Sequence, residues 1–158
     1  VVLKSNVDAS LHKARGGHVR LDVDRERAAD TAAEMLREAS ALIVARQLRP
    51  SLELFAGVRT DPQWGLVVSA GLGGANIELL NTTVAMPARL PVGWLARRLA
   101  ERIFNRVPGR YEGLAEQLAA AAGALVDLAR RGGHELVECN PIGVVDGRLV
   151  ALDARVVG

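Results

Sequence analysis

The chain has 158 residues, 49% of them apolar, with a formal net charge of +2. That length suits one domain with a sizeable core, and no apolar stretch approaches the roughly 20 residues that span a bilayer. Basic residues interleave with acids and aromatic residues make up 3%, which excludes the basic stripe and stacking platform of a nucleic-acid binder.

Val1-Val2-Leu3 reads as an apolar strand running directly into Lys4. The chain thus starts inside a core strand, and is expected to be a segment of a longer polypeptide, with a truncated sheet edge at its start. Residues 5–17 are polar and turn-rich and hold Asp8, His12, Lys13 and the pair Gly16-Gly17. Of 20 basic residues only Lys4 and Lys13 are lysines. Lysine is a compact point charge suited to phosphates, and glycine allows close backbone approach, so this opening is a candidate phosphate-binding segment. His12 is then either a phosphoryl acceptor or a solvated loop histidine.

Residues 18–23 read as a short strand. Asp24 is placed to cap a helix whose apolar positions Ala28, Ala32, Met35, Leu36 and Ala39 share a face. Residues 41–48 form a strand stopped by Arg49-Pro50, and residues 52–58, which include Glu53, are again β-rich. Asp61-Pro62-Gln63-Trp64-Gly65 is a turn. A strand at 66–70 runs into Gly71-Leu72-Gly73-Gly74, either a phosphate loop or a tight turn between strands. It lacks the Gly-Lys-Ser/Thr of a P-loop and opens no helix. A strand at 76–80, carrying Glu78, is followed by a loop through Pro87 and Pro91.

Two amphipathic helices come next, one marked by Trp94, Leu95, Leu99 and Ile103, the other by Leu114, Leu118, Ala121, Leu125 and Leu128. Gly132-Gly133 closes the second. Strands from early, middle and late segments with helices between them predict an α+β (α/β) fold, a mixed sheet covered by helices.

The closing segment pairs two apolar runs around Asp146-Gly147, a strong two-residue hairpin signal. With Val145 facing Arg148, the register carries Asn140 to Asp153 and Glu138 to Arg155. Alternation then puts these four polar side chains on one side of the ribbon. An amide and a carboxylate at facing positions are hard oxygen ligands of the kind Mg²⁺ takes. The alternative is a surface hairpin with a Glu138–Arg155 ion pair. Cys139, the one cysteine, forms no intrachain disulfide and fits a reducing cytoplasm. Together the lysines, the glycine loops and the oxygen ligands are the parts of a phosphoryl-transfer site.

In their order these elements resemble the ATP-grasp portion of NDP-forming acyl-CoA synthetases, relatives of the succinyl-CoA synthetase β chain. The residues carrying the likeness are Val1-Val2-Leu3-Lys4, Leu11-His12-Lys13 with Gly16-Gly17, and Glu53 with Gly57-Val58, Asp61-Pro62, Trp64-Gly65 and Gly71-Leu72-Gly73-Gly74. Glu138-x-Asn140-Pro141 and Leu152-Asp153-Ala154-Arg155 complete the set. The resemblance implies an ATP-grasp fold over residues 1–158, lacking the N-terminal part of the nucleotide cleft. It implies ATP (or GTP) and Mg²⁺ as cofactors, and a cytoplasmic reaction of acid, CoA and NTP giving acyl-CoA, NDP and phosphate through phosphohistidine. A CoA-binding domain or subunit is the implied partner, without nucleic acid or membrane. By that likeness His12 shuttles a phosphoryl group; Lys4, Lys13, Gly16, Gly17, Glu53, Gly71, Gly73 and Gly74 hold nucleotide; Asn140, Asp153 and Glu138 hold metal. An alternative is a regulatory ATP-grasp-like module, as in fusions with protein acetyltransferases. The chain departs from the pattern in three places: two residues instead of three between Lys13 and Gly16, leaving His18 where a glycine stands; Arg46-Gln47 near the adenine hinge; and Met86-Pro87 where an arginine is usual.

Overall fold

The computed structural model describes residues 1–5, 19–74, 82–106, 109 and 111–158. The chain divides into two compact units, Val1–Leu48 and Arg49–Gly158.

In the first unit, β1 (Val2–Ser5) is the central strand of an antiparallel sheet, flanked by β2 (Val19–Arg20) and β3 (Leu42–Ala45). The expected truncated edge is therefore paired on both sides. Helix α1 (Ala28–Met35) covers one face, where Leu3, Val23 and Met35 are buried with Ala28, Ala32 and Leu42 packed on them. The helix begins later than the sequence suggests. The Asp24 carbonyl accepts the Arg27 N–H in a turn at 3.1 Å, so Arg27 is the N-cap and no side chain caps the helix. Leu36 falls just past the last helical residue and stays exposed.

The second unit is built on a six-stranded sheet of β4 (Leu52–Asp61), β5 (Gly65–Leu72), β6 (Val84–Pro87), β7 (Leu136–Val145), β8 (Arg148–Ala151) and β9 (Ala154–Val157). The order is β6-β5-β4-β7-β8, with β9 on the other half of β7, and every described pairing is antiparallel. Period-2 alternation directs Leu54, Ala56, Val58, Val68, Ala70, Val84, Met86, Val137, Ile142 and Val144 to one face. Helices α2 (Val92–Arg102) and α3 (Leu114–Gly132) cover it. This is the α+β, helix-covered architecture expected, except that the described strands form two antiparallel sheets where one mixed sheet was expected.

Three details differ from the sequence reading. Strand β6 replaces part of the expected loop; its short in-out-in pattern of Val84, Ala85 and Met86 was the available signal, and Pro87 is tolerated because β6 is an edge strand. In α2, Leu95 and Leu99 are buried but Trp94 faces outward, with the Arg98 guanidinium 5.6 Å from its ring centroid. In α3, Leu114 and Leu118 are buried as expected and Leu125 packs partly on the core, but the buried stripe also takes Ala115, Ala119, Ala122, Val126 and Ala129 and leaves Leu128 exposed. The C-cap at Gly133 is as expected, with the His134 N–H donating to the Ala129 carbonyl at 3.1 Å. The expected strand at 76–80 lies outside the described residues. No helix among the described residues is long and apolar enough to cross a membrane.

Candidate functional site

The closing hairpin forms in the expected register. Asp146 and Gly147 both have positive φ (50° and 73°), which makes a twisted two-residue turn compatible with tight strand pairing. Val145 faces Arg148 and Glu138 faces Arg155. Between them the Asn140 N–H donates to the Asp153 carbonyl at 3.2 Å, and the Leu152 N–H to the Pro141 carbonyl at 3.0 Å. Asn140 and Asp153 thus stand opposite each other along the backbone, and the Asp153 carboxylate accepts the Ala154 N–H at 3.0 Å. Glu138 and Arg155 close no ion pair among the described residues; the Glu138 side chain lies over Gly57, where an added Cβ would be 3.5 Å from its Cγ.

One feature of this hairpin is invisible in its own sequence. The β4–β7 register shifts between Leu54 and Ala56, so that Asn140 and Pro141 together oppose Phe55, and the Asn140-Pro141 peptide is cis. Such a bulge re-aims side chains and is common beside functional sites. Strict alternation therefore stops at Asn140.

The second glycine element starts as ladder. Gly71 and Leu72 remain in β5, opposite Phe55 and Leu54, and the chain leaves the sheet only at Gly73, whose N–H donates to the Glu53 carbonyl at 2.8 Å. A Cβ at Gly73 would overlap the Leu54 carbonyl, so glycine is required there by close approach. The Glu53 carboxylate lies beside Gly74, at the spot a Cβ there would fill. Glu53, in turn, faces Gly143 on β7. Glu53, Gly73, Gly74, Glu138, Asn140 and Asp153 therefore bracket the bulge within one unit.

Burial pushes the Cys139 thiol up, and the charges of Asp153 and Glu138 push it further, while the residue itself packs against the helix-covered core. No group of three His, Cys, Asp or Glu gathers as a metal site among the described residues; Asn140 and Asp153 carry an amide and a carboxylate, oxygen donors of the hard kind.

Lys4 lies in the first unit on the central strand, half-buried, in register with Val19 and Ile43 on the face away from α1. His12, Lys13, Gly16 and Gly17 lie outside the described residues, as do Asp8, His18 and Glu78.

A family model described as ATP-grasp domain matches residues 1–157. Among curated relatives, an ADP-forming acetate–CoA ligase of Archaeoglobus fulgidus is 31% identical over 99% of this chain, which covers 24% of that protein. A trans-feruloyl-CoA synthase from an unknown prokaryotic organism is 27% identical over 82% of this chain and 20% of its own length. The chain thus spans less than a quarter of the curated relatives it matches. Among solved structures, acetyl-coenzyme A synthetase 1 of Ca. Korarchaeum cryptofilum aligns with a TM-score of 0.77 at 22% identity, covering 99% of this chain and 76% of that one. That protein was solved with coenzyme A and Mg-AMPPCP, its phosphohistidine segment pointing towards the nucleotide binding site. With a family match over nearly every residue and an ATP-grasp architecture beneath it, this chain belongs to the ATP-grasp domain family.

Proposed function

We propose that the chain is the nucleotide- and Mg²⁺-binding portion of an NDP-forming acyl-CoA synthetase, working with a CoA-binding part of the same enzyme in the cytoplasm. The overall reaction is acid, CoA and NTP giving acyl-CoA, NDP and phosphate, with ATP or GTP as the nucleotide. The observation that most supports this is the facing pair Asn140 and Asp153, set at a bulge beside Glu138 and the Gly73-Gly74 loop. In this reading Asn140 and Asp153 hold Mg²⁺, with Glu138 adding negative charge, and the ion offsets the charge of the phosphate oxygens. Lys4 and Lys13 neutralise phosphates, Gly16, Gly17, Gly71, Gly73 and Gly74 admit them close to the backbone, and Glu53 orders the second glycine loop. His12 accepts a phosphoryl group on a ring nitrogen and passes it on, restoring the free imidazole.

The test is Mg-ATP binding to the full polypeptide that carries this chain. Lys4→Ala and Asp153→Ala should each weaken it about ten- to hundredfold, the loss expected for a hydrogen bond to a charged group. With labelled ATP, His12→Ala should abolish passage of the label to the acyl-transfer site while leaving Mg-ATP binding intact. Wild-type affinity in both the Lys4 and Asp153 variants would point instead to a regulatory module.

A further inference from the structure

Within Arg49–Gly158, a cavity of about 430 Å³ lies between β5, β6, α2 and α3, a volume in the range of small-molecule sites. Its lining is apolar at the bottom, where Val68, Met86 and Leu95 are at most 5% exposed. Leu90 and Val92, both exposed, form one wall, and α3 forms another. None of the residues that bracket the bulge lines it. Glu53 follows Leu52 and precedes the fully buried Leu54, so strand alternation sends its side chain to the other face of the sheet.

Two features distinguish this cavity from a packing gap. The first is Gly123, which lines it from inside α3. Glycine is disfavoured in a helix interior, second only to proline. A Cβ at Gly123 would meet one atom within 4 Å, the Val92 Cγ2 at 3.6 Å, which is ordinary contact. Alanine would therefore fit and would favour the helix, yet glycine keeps the hollow open.

The second feature is charge at the mouth. Asp127 and Arg130 both line the cavity from α3 and both are exposed. They stand three residues apart, on one side of the helix, but close no ion pair among the described residues. Arg130 instead donates from a terminal guanidinium nitrogen to the Ala88 carbonyl at 3.1 Å. A guanidinium carries five N–H donors, so this bond steadies the group and leaves others for a carboxylate. The mouth thus offers one negative and one positive group side by side above an apolar hollow.

We infer that this cavity binds a free α-amino acid with an apolar side chain: its carboxylate meets Arg130, its ammonium meets Asp127, and its side chain covers Val68, Met86 and Leu95. An apolar acid would match Arg130 alone and an apolar amine Asp127 alone, while the interior of a peptide carries neither charge. The site goes beyond the function proposed above and does not rest on it.

Binding is read on the full polypeptide that carries this chain, by saturation-transfer NMR and calorimetry, with L-leucine, L-methionine and L-phenylalanine as probes. Isocaproate and isopentylamine serve as leucine analogues that each lack one charge. L-leucine is expected to bind saturably and each analogue about tenfold more weakly, the loss of one charge-assisted contact at a partly exposed site. Asp127→Asn and Arg130→Gln should each weaken L-leucine by a similar factor. Gly123→Leu should fill the hollow and abolish binding, with thermal melting as the folding control. If that variant does not fold, Ala124→Leu, at an exposed position of the same lining, takes its place. Absence of saturable binding by all three amino acids, as when another segment of the polypeptide covers the cavity, overturns the inference. So does amino-acid binding that survives the filling variant, or isocaproate held as tightly as L-leucine and lost with it in that variant.

Discussion

Asp61 accepts hydrogen bonds from the backbone N–H groups of Trp64 and Gln63, each at 2.9 Å, and these hold its carboxyl below the usual carboxylate range. They also brace the turn that carries Trp64, over whose ring the Arg89 guanidinium sits at 5.9 Å. A depressed folded-state pKa means that the stabilisation is present above the unfolded value, near 3.9, and is lost as pH falls through the folded value. Urea unfolding of the wild type and of Asp61→Asn should therefore differ by a constant amount above about pH 5 and converge as pH drops below about 4. A difference that persists unchanged into acid would show that the carboxylate charge does not matter. The turn itself was legible, because Asp-Pro and Trp-Gly are local chemistry. The contact of Arg89 was not, since it arrives from beyond β6.

Among the elements, α3 shows most clearly what helical periodicity leaves open. Its leucines suggest one stripe, and Leu114 and Leu118 are buried on it, yet further along the helix buries a neighbouring stripe of alanines instead of Leu128, with Ala122 at 0% exposure and Leu128 at 46%. Both stripes have helical spacing, and the choice between them depends on how closely the sheet lets the helix approach. Ala122→Leu should destabilise the protein by about 1–3 kcal/mol through overpacking, while Leu128→Ala should stay within roughly 0.5 kcal/mol of wild type. Thermal or urea melts of the two variants check this, and the reverse ranking would contradict the packing described. The hairpin is the opposite case. Asp146-Gly147 defines a turn whose geometry sets the register of everything after it, so the facing of Asn140 and Asp153 was readable from about twenty residues. The bulge beneath Asn140 was not, because one residue too many in β7 is only visible against β4.

For the molecule as a whole, the two units are unequal. The large core, from Leu54 through Val144, lies entirely within Arg49–Gly158, whereas the buried cluster of Val1–Leu48 is Leu3, Val23 and Met35. A fragment of residues 49–158 is therefore expected to unfold cooperatively in urea, and residues 1–48 alone to show no transition, because so small a chain buries too little surface. A non-cooperative 49–158 fragment, followed by circular dichroism, would refute that division. Local turn chemistry, glycines and alternation, which act over a few neighbouring positions, were enough for a helix-covered sheet and to nominate Lys4, Glu53, Glu138, Asn140 and Asp153, while the ATP-grasp architecture came from the resemblance that the order of motifs carries. Only the folded chain decided where the buried stripe of α3 runs beyond Leu118, that β1 lies in the middle of its sheet, and that Phe55 falls opposite the Asn140-Pro141 bulge. Those choices are made by partners far apart in sequence, whose packing no local pattern contains.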